Sequence, residues 1–362
     1  MNNSINISYL NSLLLANIRS TLLIDSLSLY LIVPIGIIST FLNTITILIL
    51  LNKKFNNINI FKLMKVYSLI SCIISFIMIF SGLLFTPHIL FDLSISKFAR
   101  IYTCNIVSWI LVSLFSYGNC LDILMNLERA LSFSNKYHKI KQISPYLICF
   151  IVFITCIIIH IPSDLAGTYT PDDQLYITLK LCSPTSFTSS PVTRMILIIS
   201  YIIEGPVLII LAIGSNVLAY KSYRSFIIKK EQLRITTNND GSIELTENEK
   251  RMIEKNEKMN KKMLIMTICL TIFSIISHLI QFATQLIAFV FSMYFSLLQL
   301  AYARFFFTFI IIFKHFFTIF FYFYFNSNFK KMILSLKCKK NSNFNYNTNN
   351  NNNIPLTAID NR

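Results

Sequence analysis

Residues 104–130 read CNIVSWILVSLFSYGNCLDILMNLERA: a cysteine, an apolar run of helix length, then Glu128-Arg129 ahead of a basic segment, Lys136 to Lys141. At 1.5 Å per residue, a helix from Cys104 to Arg129 covers roughly 37 Å, a bilayer core plus part of its interface. The cysteine then lies at one membrane face and the Glu-Arg pair at the other. A carboxylate and a guanidinium there can form an ion pair that an arriving partner breaks. The plainer alternative is an arginine that snorkels and marks where the membrane ends.

The rest of the chain has the same character. Of 362 residues, 54% are hydrophobic and only 13% charged; Phe leads the 14% that are aromatic. Apolar runs of 18 or more residues recur, which predicts a polytopic membrane protein with no room for a separate soluble domain. The net charge of +16 does not point to nucleic acid, because the basic residues gather in alternate loops. Expected spans are Leu29 to Leu51, Lys62 to Leu90, Cys104 to Ala130, Pro145 to Pro162, and Val192 to Tyr220 interrupted at Gly205-Pro206. The run from Met263 to Phe325 is too long for one crossing and folds back near Ser292 to Ser296, giving seven.

Charge orients these spans. Lys53, Lys54, Lys62 and Lys65 flank the first loop, and Lys136, Lys139 and Lys141 fill the third connection. Eleven basic residues lie between Lys221 and Lys262, and six follow the last span. The opposite side holds Arg19, Lys97, Arg100, Lys180 and Arg194. The expectation is a plasma-membrane protein with its N-terminus outside and C-terminus in the cytoplasm. Residues 1–28 form the extracellular end, with no basic region of a cleaved signal peptide and sequons at Asn2 and Asn6 for glycosylation. Residues 29–325 form the bundle. Residues 326–338 have Phe329, Met332, Ile333 and Leu336 at i, i+3, i+4 and i+7, a short interfacial helix against membrane lipids capped by Ser327. Cys338 at its end is a candidate for palmitoylation, or a free thiol. Residues 339–362 are an Asn-rich, disordered tail. In the loop before the sixth span, Asn238 to Gly241 reads as a turn. Thr246 to Glu249 reads as a capping box that starts a charged extension of the sixth helix.

Of eight cysteines, only Cys104 and Cys182 fall at the outer face, where disulfides persist, so they are the natural pair. With these features together, the chain resembles a rhodopsin-like (class A) G-protein-coupled receptor over about Leu29 to Cys338. Asn43 matches the family's helix-1 asparagine, Pro162 and Pro206 its helix-4 and helix-5 prolines, and Phe273 its helix-6 phenylalanine. Tyr322 takes the helix-7 tyrosine position, and Phe329-Lys330 the start of helix 8. The departures are many. The Glu-Arg pair ends in Ala130, no proline precedes Tyr322, and Ile276 to Leu279 replaces the Cys-Trp-x-Pro motif. There is no helix-2 carboxylate near Ser71 to Ile73 and no helix-4 tryptophan. This is a divergent, invertebrate-like member.

The resemblance implies an all-α membrane protein, a seven-transmembrane helix bundle with a short amphipathic helix 8. Its partners would be an extracellular peptide or small-molecule ligand and a heterotrimeric G protein, coupled at Glu128, Arg129 and Tyr322 as helix 6 moves outward. Leu111 stands where amine receptors carry aspartate, and Ile312 where opsins carry the retinal lysine. The expected cup is apolar, with Leu111, Val112 and Phe115, plus Arg304 as its cation. It suits a neuropeptide with an acidic end; Arg304 paired with Asp172 or Asp173 is an equal alternative. No enzyme, metal site or cofactor is expected, because the five histidines show no ligand spacing. A non-GPCR seven-span chemosensory receptor, or a transporter or channel, remains the alternative; internal repeats and paired broken helices are lacking.

Asp122 and Lys314 are charges within spans. Asp122 is seven residues before Arg129, about 10 Å deeper, and Lys314 eight before Tyr322, about 12 Å. If Arg129 and Tyr322 sit at similar depth the two charges are roughly level, and an ion pair between helices 3 and 7 is one expectation. Asp122 with His278, a protonated Asp122, and Lys314 in cavity water are the others.

Overall fold

A computed structural model of the chain describes residues 26–52, 55, 58–84, 97–132, 143–165, 167–168, 183–184, 190–239 and 297–325, together with helical positions between 254 and 283 that include all of 272–280. The chain is a nearly all-helical membrane protein. Among the described residues, five helices are long and apolar enough to cross a membrane. They are α1 (Ser28–Leu50), α2 (Asn59–Leu84), α3 (residues 97–132, with Cys104–Ser132 as its apolar part), α4 (Pro145–Leu165) and α5 (residues 191–239). Two further helices are α6 (residues 272–280) and α7 (Leu297–Phe325), the latter with an apolar segment at Thr308–Thr318.

Polarity is arranged inside out. Large apolar side chains such as Phe41, Phe76, Phe150 and Ile210 face outward, while Ser39, Asn43, Ser68, Ser71, Ser75 and Ser113 are buried. Water would penalise that pattern; lipid favours it, and small residues let helices approach closely. At the α1–α2 seam, Ser75 Oγ donates to Ser39 Oγ at 2.9 Å, and Asn43 Nδ2 donates to the Ser39 carbonyl at 2.9 Å. Gly36 sits where α1, α2 and α7 meet. A Cβ there would stand 2.7 Å from Ile79 and 3.2 Å from Ile312, so a larger residue forces the helices apart.

α3 is the central helix: 59% of its apolar window is buried, against 22% for α4. α2, α4 and α5 pack against it, and α7 lies on α1 and α2. Its cysteine end is π-helical over Tyr102–Leu111. Trp109, from that segment, donates to the Ile157 carbonyl of α4 at 3.3 Å. Ser200 of α5 donates to the Ile159 carbonyl at 3.3 Å. Pro162 removes the N–H that Ile158 would receive and loosens this stretch of α4, which exposes carbonyls to such donors. The chain's one tryptophan thus serves α4 from α3.

Three expected boundaries shift. α2 begins at Asn59, three residues before Lys62, and α4 continues through Pro162 to Leu165. α5 is not broken at Gly205-Pro206: a π segment, Ile203–Val207, takes up the proline, and the helix runs on to Asn239. The wider turn relieves the clash between the ring and the carbonyl four residues back. Asn238 and Asn239 are therefore helical, not part of a turn. The apolar run stops at Tyr220, but charged residues support helix as well in water as apolar ones do in lipid.

A two-stranded antiparallel pair, β1 (Gly167–Thr168) and β2 (Ser183–Pro184), follows α4, and β1 packs on the Tyr102–Leu111 segment of α3. The α6–α7 seam is aromatic. Phe305, Phe309, Phe313 and Phe317 follow one another at centroid distances of 6.4, 5.8 and 4.2 Å, and Phe273 of α6 lies 6.1 Å from Phe313. The fold-back at Ser292 to Ser296, the capping box at Thr246, the helix of residues 326–338 and the tail lie outside the described residues.

Candidate functional site: two buried ionic clusters

Asp122 and Lys314 meet. Lys314 Nζ lies 2.6 Å from Asp122 Oδ2, with the side chains 5% and 17% exposed respectively. The same ammonium donates to Asn119 Oδ1 at 2.8 Å and to Ser274 Oγ at 3.2 Å. Three N–H bonds thus have three acceptors, drawn from α3 and α6. Ser274 Oγ donates in turn to Asp122 Oδ2 at 3.1 Å. His278, one turn along α6, has Nδ1 2.6 Å from the Ser274 carbonyl oxygen, which makes Nδ1 the protonated nitrogen. His278 adjoins the pair through Ser274 rather than replacing Lys314 as the partner of Asp122.

His315 carries the connection onward. Its Nδ1 is 2.8 Å from Ser71 Oγ of α2, and its ring is 5.6 Å from that of Tyr67. The ion pair thus joins α3, α6 and α7, and the next residue on α7 joins that helix to α2. An ammonium with full acceptors and a carboxylate with two donors is how lipid-embedded charge becomes tolerable.

The second cluster joins α3, α4 and α5. His160 Nε2 lies 2.8 Å from Glu204 Oε1 and 2.9 Å from Ser116 Oγ, with His160 and Glu204 side chains 1% and 4% exposed. Pairing a basic ring with a carboxyl group lowers the cost of holding either one in lipid. Glu204 belongs to the π segment of α5. Its signal in the sequence is that of a single carboxylate within a long apolar run.

The remaining expected residues fall as follows. Arg129 is buried and Glu128 half-buried; Arg129 Nη1 donates to Asn126 Oδ1 at 3.4 Å. Tyr322 and Arg304 lie on α7, and their side chains are outside the described set. Leu111 and Phe115 are buried and Val112 half-buried on α3. Asn43 is buried at the α1–α2 seam. Cys104 is disulfide-bonded, while Cys72, Cys120, Cys149, Cys156 and Cys269 are free. Cys182, Cys338, Asn2 and Asn6 lie outside the described residues. No group of three or more metal-ligating side chains occurs among the described residues. On the charged segment before α6, Lys258 Nζ is 2.8 Å from Glu254, and its hydrogen bond and charge hold that carboxyl below the usual range.

Fold and site together define a helical membrane protein with two buried ionic clusters. No family model matches the chain, and no curated protein matches it in sequence.

Proposed function

We propose that this protein is a divergent rhodopsin-like G-protein-coupled receptor with seven spans, N-terminus outside and a short helix 8. It binds an extracellular ligand, a neuropeptide in the first instance, and activates a heterotrimeric G protein. The observation that carries the reading is the Asp122–Lys314–Ser274 centre. It ties α3, α6 and α7 together two helical turns from buried Arg129. A ligand at the Cys104 end that loosens this tie would free α6 to move away from α3 near Arg129, a shift between two bundle arrangements. The Cys104–Cys182 bond belongs to the same reading. Cys104 is bonded, and Cys182 directly precedes β2, whose partner β1 packs on the Cys104 segment.

The test is nucleotide exchange on heterotrimeric G proteins in membranes carrying the full chain, with a peptide panel as agonist. Basal or agonist-driven exchange that Arg129→Ala removes supports the reading. Exchange equal to that of mock membranes across the panel refutes it. Buried Asp–Lys and His–Glu pairs also occur in proton relays of transporters. Proton-coupled uptake into proteoliposomes, without exchange activity, would favour that second reading.

A further inference from the structure

Cys120 and Cys156 are placed by the register of two helices. Ser116 Oγ of α3 meets His160 Nε2 of α4 at 2.9 Å. Cys120 follows Ser116 by four residues, and Cys156 precedes His160 by four. α3 and α4 are consecutive spans and run antiparallel, so both steps lead one turn in the same physical direction. The two thiols therefore face each other one turn from the His160–Glu204 pair, and they hydrogen bond. Both are free; Cys156 is buried and Cys120 half-buried.

We infer that Cys120 and Cys156 form an oxidisable pair within the bundle, a disulfide switch between α3 and α4 whose oxidant is a membrane-soluble organic hydroperoxide. Cys120, the more accessible thiol, attacks the terminal oxygen of the hydroperoxide. The O–O bond breaks, the thiol proton passes to the departing oxygen, and Cys120 becomes a sulfenic acid beside a released alcohol. Cys156 then attacks the Cys120 sulfur. The S–S bond forms, the S–O bond breaks, and hydroxide leaves with the second thiol proton as water. Two thiols lose two electrons and the hydroperoxide gains them. A disulfide needs its sulfurs about 2.05 Å apart and its Cβ atoms about 3.8 Å apart. Two thiols already in hydrogen-bond contact need only a short approach. The product would lock α3 to α4 next to both ionic clusters. This inference does not depend on the receptor reading, and its test measures no signalling.

The test uses the full chain in lipid nanodiscs, treated with cumene hydroperoxide, alkylated with N-ethylmaleimide and mapped by mass spectrometry. The expected result is a linked Cys120–Cys156 peptide, with both cysteines lost from alkylation in parallel and restored by reductant. Peptide mapping separates this bond from the one at Cys104. In Cys156→Ser, Cys120 should stop at a sulfenic acid that dimedone traps; in Cys120→Ser, Cys156 should remain alkylated. If either variant fails to fold, the wild-type map alone decides. Oxidation of Cys120 to sulfenic or sulfinic acid while Cys156 stays a thiol overturns the inference. So does a map in which neither cysteine reacts or Cys120 links to another cysteine.

Discussion

Removing one member of the Asp122–Lys314 pair should harm the protein more than removing both. In Asp122→Asn the Lys314 ammonium, 5% exposed, keeps Asn119 and Ser274 but loses the counter-charge 2.6 Å away. In Lys314→Gln the carboxylate loses the ammonium and keeps the Ser274 hydroxyl. Breaking one side of a buried pair costs about 3–5 kcal/mol, and a lone charge mid-membrane about 2.5–3.5 kcal/mol on insertion scales. A loss of about 3 kcal/mol lowers the folded ratio roughly a hundredfold, a large part of a typical margin of about 5–15 kcal/mol. The double variant places two neutral amides among Asn119 and Ser274 and leaves no charge in lipid. Its coupling energy should recover about 2–3 kcal/mol of the summed losses. The assay is the monodisperse fraction after solubilisation, with thermal midpoints, for wild type, both singles and the double. A double variant whose loss equals the sum of the singles refutes the pair.

Cys104→Ser and Cys182→Ser should lower surface expression equally, because each removes the same bond; unequal surface staining refutes the pairing. Arg129→Ala should abolish nucleotide exchange yet leave binding of an agonist found by screening nearly intact, while Glu128→Gln should raise basal exchange; wild-type exchange in both would remove Arg129 as the coupling residue. Glu204→Leu should lower the thermal midpoint more than Glu204→Gln, since the amide keeps a polar group 2.8 Å from His160 Nε2 and leucine does not; equal midpoints would show that the pair contributes nothing to the fold. Gly205→Ala should destabilise by about 1–3 kcal/mol, because the new Cβ runs into the Phe282 ring, and Phe282→Leu should relieve part of it; a neutral Gly205→Ala in thermal melts refutes that packing.

How much of this was legible in the sequence depended on whether an argument used depth or direction. Depth needs only the helical rise, so counting back from Arg129 and Tyr322 put Asp122 and Lys314 level. Direction needs an unbroken 100° step, and the π segment at Ile203–Val207 inserts extra winding into α5. The facing of Glu204 toward His160 was lost there. Ser274 was hidden for another reason: its role depends on the azimuth of α6, and no motif fixes that. The length of α5 is not legible in its apolar run, because the end of such a run marks where lipid ends, not where helix ends.

α3 shows why one stretch organises the whole. Ser113, Ser116, Asn119, Asp122, Asn126 and Arg129 recur at steps of three or four residues along it. A three-residue step turns the helix by 300°, so each successive side chain drifts by about 60° around the axis. Ser116, Asn119 and Asp122 should therefore address different neighbours while descending about 4.5 Å at each step. Ser116 meets His160 of α4, Asn119 meets Lys314 of α7, and Asp122 shares Lys314 with Asn119 and adds Ser274 of α6. A stripe that winds in this way distributes one helix's polar contacts among three others. Any rotation of α3 must then strain the α4–α5 cluster and the α6–α7 cluster together, which couples the two ionic centres through a single rigid element.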